Sequence, residues 1–398
     1  HEVSLLWVLY GFSLAFAEQA GGDSVGGWFG DLSAVGMRGL LAGGEDGGIP
    51  ILVFAGFQMM FAIITTALIA GAIADRAKFG AWLVFAVLWS TLVYFPVAHW
   101  VWGGSGWLGE LGVLDFAGGT AVHVNAGAAA LALALVLGRR VGWPRERMRP
   151  HNLPLVLLGA ALLWFGWFGF NAGSELAADA VTGVAFINTQ VAAGAALLGW
   201  IFVEWLRDGR PTTLGAASGA VAGLVGITPA CAFLEPLGAV GLGAVVGVVC
   251  SLFVSLKHRA GYDDSLDVVA VHLVGGAVGS LLIGLLAVEA FGGRGAGLLY
   301  GGSAGLLGVQ AIGVLAVAGY SFVVAWVIGI GIEKTIGFRV RPEVEVEGID
   351  LHEHAESGYD FSSTGPAMLV GAGVATPPAA LSPAGDPLAS PASQRVNA

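Results

Sequence analysis

Ten apolar runs separated by short polar breaks carry the chain from its first residues to residue 332. Read as helices, they lie near 2–17, 49–74, 81–103, 115–138, 154–173, 181–204, 214–232, 237–256, 264–290 and 303–332. About 20 apolar residues in a helix cross a bilayer core of about 30 Å, so the pattern predicts a polytopic membrane protein. The first run is short. It opens at His1, without an initiator Met and already inside the apolar stretch. A cleaved signal peptide would not leave a cut inside an apolar helix, so an N-terminal truncation is the expectation.

The breaks order the spans. Cytoplasmic loops retain Lys and Arg. Alternate breaks carry Arg76 and Lys78, Arg139 to Arg149, Arg207 and Arg210, Lys257 and Arg259, and Lys334 to Arg341, 14 of the 17 basic residues. The breaks between them hold only Arg38 and Arg294, and Arg395 lies in the tail. That alternation predicts ten spans with both chain ends cytoplasmic. After residue 362 the sequence is rich in Pro, Ala, Gly and Ser with almost no charge, which predicts a disordered tail over 363–398. The expected organisation is a membrane domain (1–332), a cytoplasmic segment (333–362) and that tail.

Composition sharpens this picture in two places. Charged residues make up 11% of the chain against roughly 25% in soluble domains. The 65 glycines fall largely inside the apolar runs, as in "GAASGAVAGLVG" at 215–226, which predicts closely packed helices. The net charge of −11 owes much to one acidic stretch at 343–360. Cys231 and Cys250 lie in apolar runs with no Cys/His cluster nearby, which predicts neither a disulfide framework nor a zinc site.

Two stretches carry candidate chemistry. "TAVHVNAGAAA" at 120–130 and "VAVHLVGGAVG" at 269–279 align on His123 and His272, share Gly127/Gly276, and each histidine follows an aspartate by eight residues, Asp115 and Asp264. The predicted topology runs the two helices in opposite directions. That is the pattern of an inverted repeat, in which sites lie near the membrane midplane. Eight residues at about 1.5 Å each put either ring roughly 12 Å from its own end, so the two are within reach of each other. Such a pair could line a pathway, relay protons or bind a metal, although no third ligand stands at ligand spacing. Asp115 in "LDFAGG" could instead be a helix N-cap, a role that an asparagine would keep.

Most of the aromatic residues suit interfacial belts and lipid-facing bulk. "FAGFQMMFA" (54–62), "AHWVWGGSG" (98–106) and "WFGWFGFNAGS" (164–174) all fall near the outer face. There Phe57 and Trp102 would offer ring faces to a cation, and Ser174 a hydroxyl acceptor for its N–H groups. There is no P-loop, no H-E-x-x-H and no G-x-S-x-G, which argues against an enzyme.

The stretches "LWVLYGFSLAF", "VWGGSGWLGELGVLDFAGGTAVHVNAG", "PHNLPLVLLGAALLWFGWFGFNAGS", "GAASGAVAGLVGITPAC" and "DDSLDVVAVHLVGG" resemble, in order, the signature segments of the ammonium transporters, the Amt branch of the Amt/Mep/Rh family. The resemblance runs from residue 1 to about 361. It implies an all-α fold of eleven membrane helices in two inverted five-helix halves, ten of them present here, forming a homotrimer with a pore through each subunit. It implies that Phe57, Trp102 and Ser174 recruit ammonium, with the essential acid Asp115 beneath them. Phe61 and Phe170 would close the pore, and His123, His272 and Trp167 would line it. The implied activity is ammonium transport in the plasma membrane, a bacterial inner membrane, with deprotonation and passage of ammonia; the alternative is an ammonium sensor. Residues 337–361 resemble the cytoplasmic region that couples subunits and helps dock a PII-type signalling protein. Within them His352 and His354 form an H-x-H pair that is either a metal ligand set or a solvated stretch. No cofactor is implied.

Overall fold

The computed structural model describes residues 1–17, 27–42, 45–46, 48–146, 148–289 and 295–359. The predicted tail therefore lies outside the described residues. Among the described residues, ten long helices form one bundle: α1 (Glu2–Phe16), α2 (Ile51–Ile73), α3 (79–102), α4 (Gly119–Leu137), α5 (Leu153–Asn171), α6 (Ala180–Asp208), α7 (Thr213–Ile227), α8 (Pro236–Ala260), α9 (Val269–Leu286) and α10 (Ala304–Thr335). Eight helical stretches among the described residues are long and apolar enough to cross a membrane, and α1 and α7 are shorter. Strand is confined, among the described residues, to a two-residue antiparallel pair, Glu45–Asp46 with Ile49–Pro50.

Local chemistry sets the helix ends. Asn152 Oδ1 accepts the Leu155 N–H to start α5, Asp179 starts α6 with a capping box, Thr212 caps α7 and Ser303 caps α10. Three helices are shorter than the apolar runs suggest, each for a visible reason. α4 begins at Gly119 because Asp115 is spent as its cap. α9 begins at Val269 because Lys257 Nζ holds the Asp264 carbonyl and the Asp267 carboxylate in a turn before it. α7 ends at Ile227 because the next residues bend back, where Asn188 Nδ2 donates to the carbonyls of Cys231 and Leu234.

The charged breaks gather at one end of the bundle. There Arg140 clamps Asp263 with Nε and Nη2, both at 2.9 Å, and reaches Asp75 with Nη1 at 3.1 Å. Residues 336–359 cross this end as a belt. The Phe338 carbonyl accepts the Lys78 N–H, Val340 N–H donates to the Arg76 carbonyl, and Arg339 Nη1 donates to the Leu137 carbonyl. Glu353 accepts the Phe79 N–H at the start of α3.

Burial would raise the carboxyl of Asp263, but the hydrogen bonds and charge of Arg140 outweigh it and hold the group below the ordinary aspartate range. Its stabilising contribution is therefore complete above the unfolded value of about 3.9 and is lost as pH falls through the lower folded value. Arg140→Met strands the Asp263 charge, and breaking a buried pair costs about 3–5 kcal/mol. Thermal unfolding in detergent at neutral pH should show that loss. Mild acidification leaves the pair of the unchanged protein intact, and should partly rescue the variant, whose buried carboxylate has lost its partner and is neutralised more readily.

Candidate functional site

At the end of the bundle opposite the belt, a cavity of about 410 Å³ opens between α2, α3 and the turn after α5. Phe54, Gln58, Phe61, Trp102, Phe116 and Ser174 contribute to its wall. Phe54, Gln58 and Phe61 come from one face of α2, at the i, i+4, i+7 spacing that stacks side chains along a helix. Of the three residues expected to meet a cation, Trp102 and Ser174 share this cavity. Phe57 lines a shallower neighbouring depression and packs edge-on against Phe61 with ring centroids 4.9 Å apart.

The polar groups here are oriented by hydrogen bonds. Trp102 Nε1 donates to the Asp115 carbonyl at 2.9 Å, which fixes the indole and leaves its face to the cavity. The Ser174 hydroxyl donates to the Phe170 carbonyl at 2.8 Å, so its oxygen keeps lone pairs to accept a hydrogen bond from a guest.

Asp115 is held in a tighter frame than a single cap. Oδ1 accepts the N–H groups of Gly118 (2.9 Å) and Gly119 (2.6 Å), and Oδ2 those of Thr120 and Ala121, both at 2.9 Å. An ionised carboxylate offers about four lone-pair sites, and all four are filled. An asparagine would therefore keep only part of this cap. Its one oxygen could serve only two of these donors, and its NH₂ would face the other two.

Below the cavity Phe61 and Phe170 stack, with centroids 4.3 Å apart and planes at 26°. Beyond them Trp167 lies parallel to His123 at 5.4 Å, its Nε1 anchored to the Thr228 hydroxyl. His123 and His272 meet as the sequence pattern predicts, Nδ1 to Nδ1 at 3.1 Å. One ring must donate and the other accept. Two neutral imidazoles so joined hold opposite tautomers, and their Nε2 edges present one donor and one acceptor. His123 Nε2 is buried with no partner among the described residues.

Backbone geometry brings the rings together. Each histidine sits in a π-helical turn, Gly119–Val124 in α4 and Val269–Val274 in α9, the kind of irregularity that concentrates at functional sites. The paired glycines each face the opposite helix. A Cβ on Gly127 would collide with the Leu273 backbone, and one on Gly276 would stand 2.7 Å from the Gly119 carbonyl. Only the absence of both side chains permits so close a crossing.

Sequence reasoning missed the supports of this site. Gln310 of α10 accepts the Leu114 N–H and donates to the carbonyls of Leu114 and Ser280, tying the Asp115 loop to α9 and α10. Thr120 and Ser280 join hydroxyls across the repeat at 3.0 Å. Their signal was present, a lone glutamine in an apolar run, but nothing in the run says which way it points. His352 and His354 do not converge on one point. His352 Nε2 pairs with Glu347 Oε2 at 2.5 Å, and the His354 ring packs edge-on against Phe79.

The comparisons with known proteins agree on one family. Residues 1–359 match the model of the Ammonium Transporter Family. The chain is 52% identical to a Mycobacterium tuberculosis ammonium transporter, across 92% of this chain and 82% of that one. It is 48% identical to a Bacillus subtilis ammonium transporter, across 90% and 88%. Among solved structures it resembles Candida albicans Mep2, with a TM-score of 0.78, 37% identity and coverage of 86% of this chain and 77% of that one. It also resembles a Sensor Amt Protein, with a TM-score of 0.80, 30% identity and coverage of 88% and 87%.

Proposed function

The chain belongs to the ammonium transporter family, in its Amt branch, a family of membrane transporters and not of enzymes, and from that membership we propose how it moves ammonium. Ammonium is recruited in the outer cavity by the faces of Phe57 and Trp102 and by the Ser174 oxygen. Cation–π attraction contributes about 0.5–2 kcal/mol, and the hydroxyl adds an acceptor that meets an ammonium N–H along a directed hydrogen bond, where a spherical ion has only non-directional attraction to it. The intact ion is costly to carry through hydrocarbon. It therefore gives up its proton near Asp115 and passes the Phe61–Phe170 pair as ammonia. The Asp115 carboxylate, with every lone pair engaged, acts through its charge and through the frame it holds. The released proton is taken by the accepting Nε2 of the joined imidazoles His123 and His272, the shared Nδ1 proton shifts from one ring to the other, and the second ring releases its own Nε2 proton, so that the linked nitrogens exchange donor and acceptor roles.

The observation that carries this reading is the joined pair His123–His272, buried in the helix crossing below an aromatic cavity. Reconstituted in proteoliposomes, the chain should pass a transient inward current on an ammonium pulse and none on an equal potassium pulse. Ammonia uptake without current would remove the proton route from the proposal, and neither uptake nor current would remove transport itself.

The likeness to a sensor protein supports a second reading, in which the same bundle reports ammonium through a PII-type partner at the charged end. The belt of residues 336–359 would be the element such a partner reads, on the cytoplasmic side of the plasma membrane. A sensor would bind ammonium without sustaining uptake, so the same assay separates the two.

A further inference from the structure

Gln58 stands in the wall of the outer cavity and has no assigned role. It lies between Phe54 and Phe61 on one face of α2, facing the same space as Trp102 and Ser174. The side chain is 8% exposed, yet Oε1 has no hydrogen-bond partner. The other buried amides behave differently. Asn125, Asn171, Asn188 and Gln310 each donate a hydrogen bond that anchors the NH₂, so the carbonyl oxygen cannot turn even where it lacks a partner. No such bond holds Gln58 among the described residues. A buried amide left unpaired is destabilising, and one that persists in a cavity wall is suited to a guest. A half-turn about its last bond exchanges oxygen and nitrogen without changing the side chain's shape.

We propose that Gln58 is a specificity-determining residue of the ammonium site, its amide oxygen accepting one N–H of the bound ion beside the bond taken by Ser174. This rests on the recruitment reading above and extends it. Ring faces attract any small cation, so they separate ammonium poorly from potassium or methylammonium. Acceptors fixed at hydrogen-bonding angles distinguish them by the number and direction of the N–H groups each ion offers. Ammonium has four N–H groups at tetrahedral angles, methylammonium three and potassium none. A site with two fixed acceptors favours the ion that can satisfy both and still present N–H groups to the rings.

The test compares the unchanged protein with Gln58→Leu and Gln58→Glu in proteoliposomes, reading half-saturating concentration and maximal current for ammonium and for methylammonium. Gln58→Leu should raise the half-saturating ammonium concentration on the order of tenfold, with the maximal current within about twofold. The methylammonium value should move less, so the preference between the two ions narrows. Gln58→Glu keeps an acceptor and adds charge, and should lower the half-saturating concentration. It decides the question by itself if the leucine variant does not fold. An active unchanged protein whose variants keep its half-saturation and its preference would overturn the role of Gln58 alone. Loss of maximal current with unchanged half-saturation would also overturn it, because that is the mark of a structural role. An unchanged protein that shows no ammonium response would instead overturn the recruitment reading beneath it.

Discussion

Replacing both His123 and His272 with leucine is expected to cut the ammonium-evoked current on the order of a hundredfold. In the proposed reading the conduit past Phe61 and Phe170 is apolar, and the Nε2 edges of the two histidine rings are its polar partners for a passing ammonia. Each hydrogen bond lost to neutral ammonia costs about 0.5–1.5 kcal/mol, so two near the upper end, at about 1.4 kcal/mol per factor of ten, amount to about a hundredfold. The proton route is lost at the same time. Because the rings share one Nδ1–Nδ1 bond, either single replacement leaves the other ring with a buried, unpaired nitrogen. The singles should therefore do nearly as much damage as the double, a non-additivity that a double-mutant cycle measures directly. An undiminished, ammonium-selective current in the double variant would end the proton-relay reading.

Asp115→Ala is expected to do more than stop transport. It should destabilise the bundle by on the order of 4 kcal/mol, taking the low end of about 1 kcal/mol for each of four buried N–H groups left without an acceptor. The carbonyl of the same residue fixes the indole of Trp102, so a loosened loop also releases the ring proposed to recruit ammonium. Asp115→Asn should fall between, retaining two of the four bonds. Thermal unfolding and transport measured together divide the roles. A stable but inactive asparagine variant assigns the charge to transport. A fully stable and fully active one would show that neither the charge nor the four-donor frame is required.

The ten helices and the meeting of the two histidines were legible because both depend on periodic or repeated signals. Apolar runs mark spans, and the spacing from Asp115 to His123 recurs from Asp264 to His272. What stayed hidden depends on contacts far apart in the chain. Gln310 reaches Leu114 across 196 positions, and Arg140 reaches Asp263 across 123. A run such as "FAGFQMMFA" does not say whether its glutamine faces lipid, a neighbouring helix or a cavity, since α2 is apolar on every side. The number of donors on Asp115 was hidden for a related reason. "LDFAGG" announces a cap, but only the left-handed turn at Gly118, with φ of 105°, folds four consecutive N–H groups onto one carboxylate.

The stacked pair Phe61 and Phe170 bears on the membrane as much as on the substrate. A bilayer stores work as a voltage and a proton gradient, and a continuous, proton-conducting file of water molecules through a pore would discharge both. Rings in face contact leave such a file no room. In the proposed reading, passage waits for a phenyl ring to swing aside, one small molecule at a time, which trades speed for insulation. Throughput should accordingly depend steeply on temperature, as ring motion in a packed interior does, while the resting conductance to protons stays near that of plain lipid.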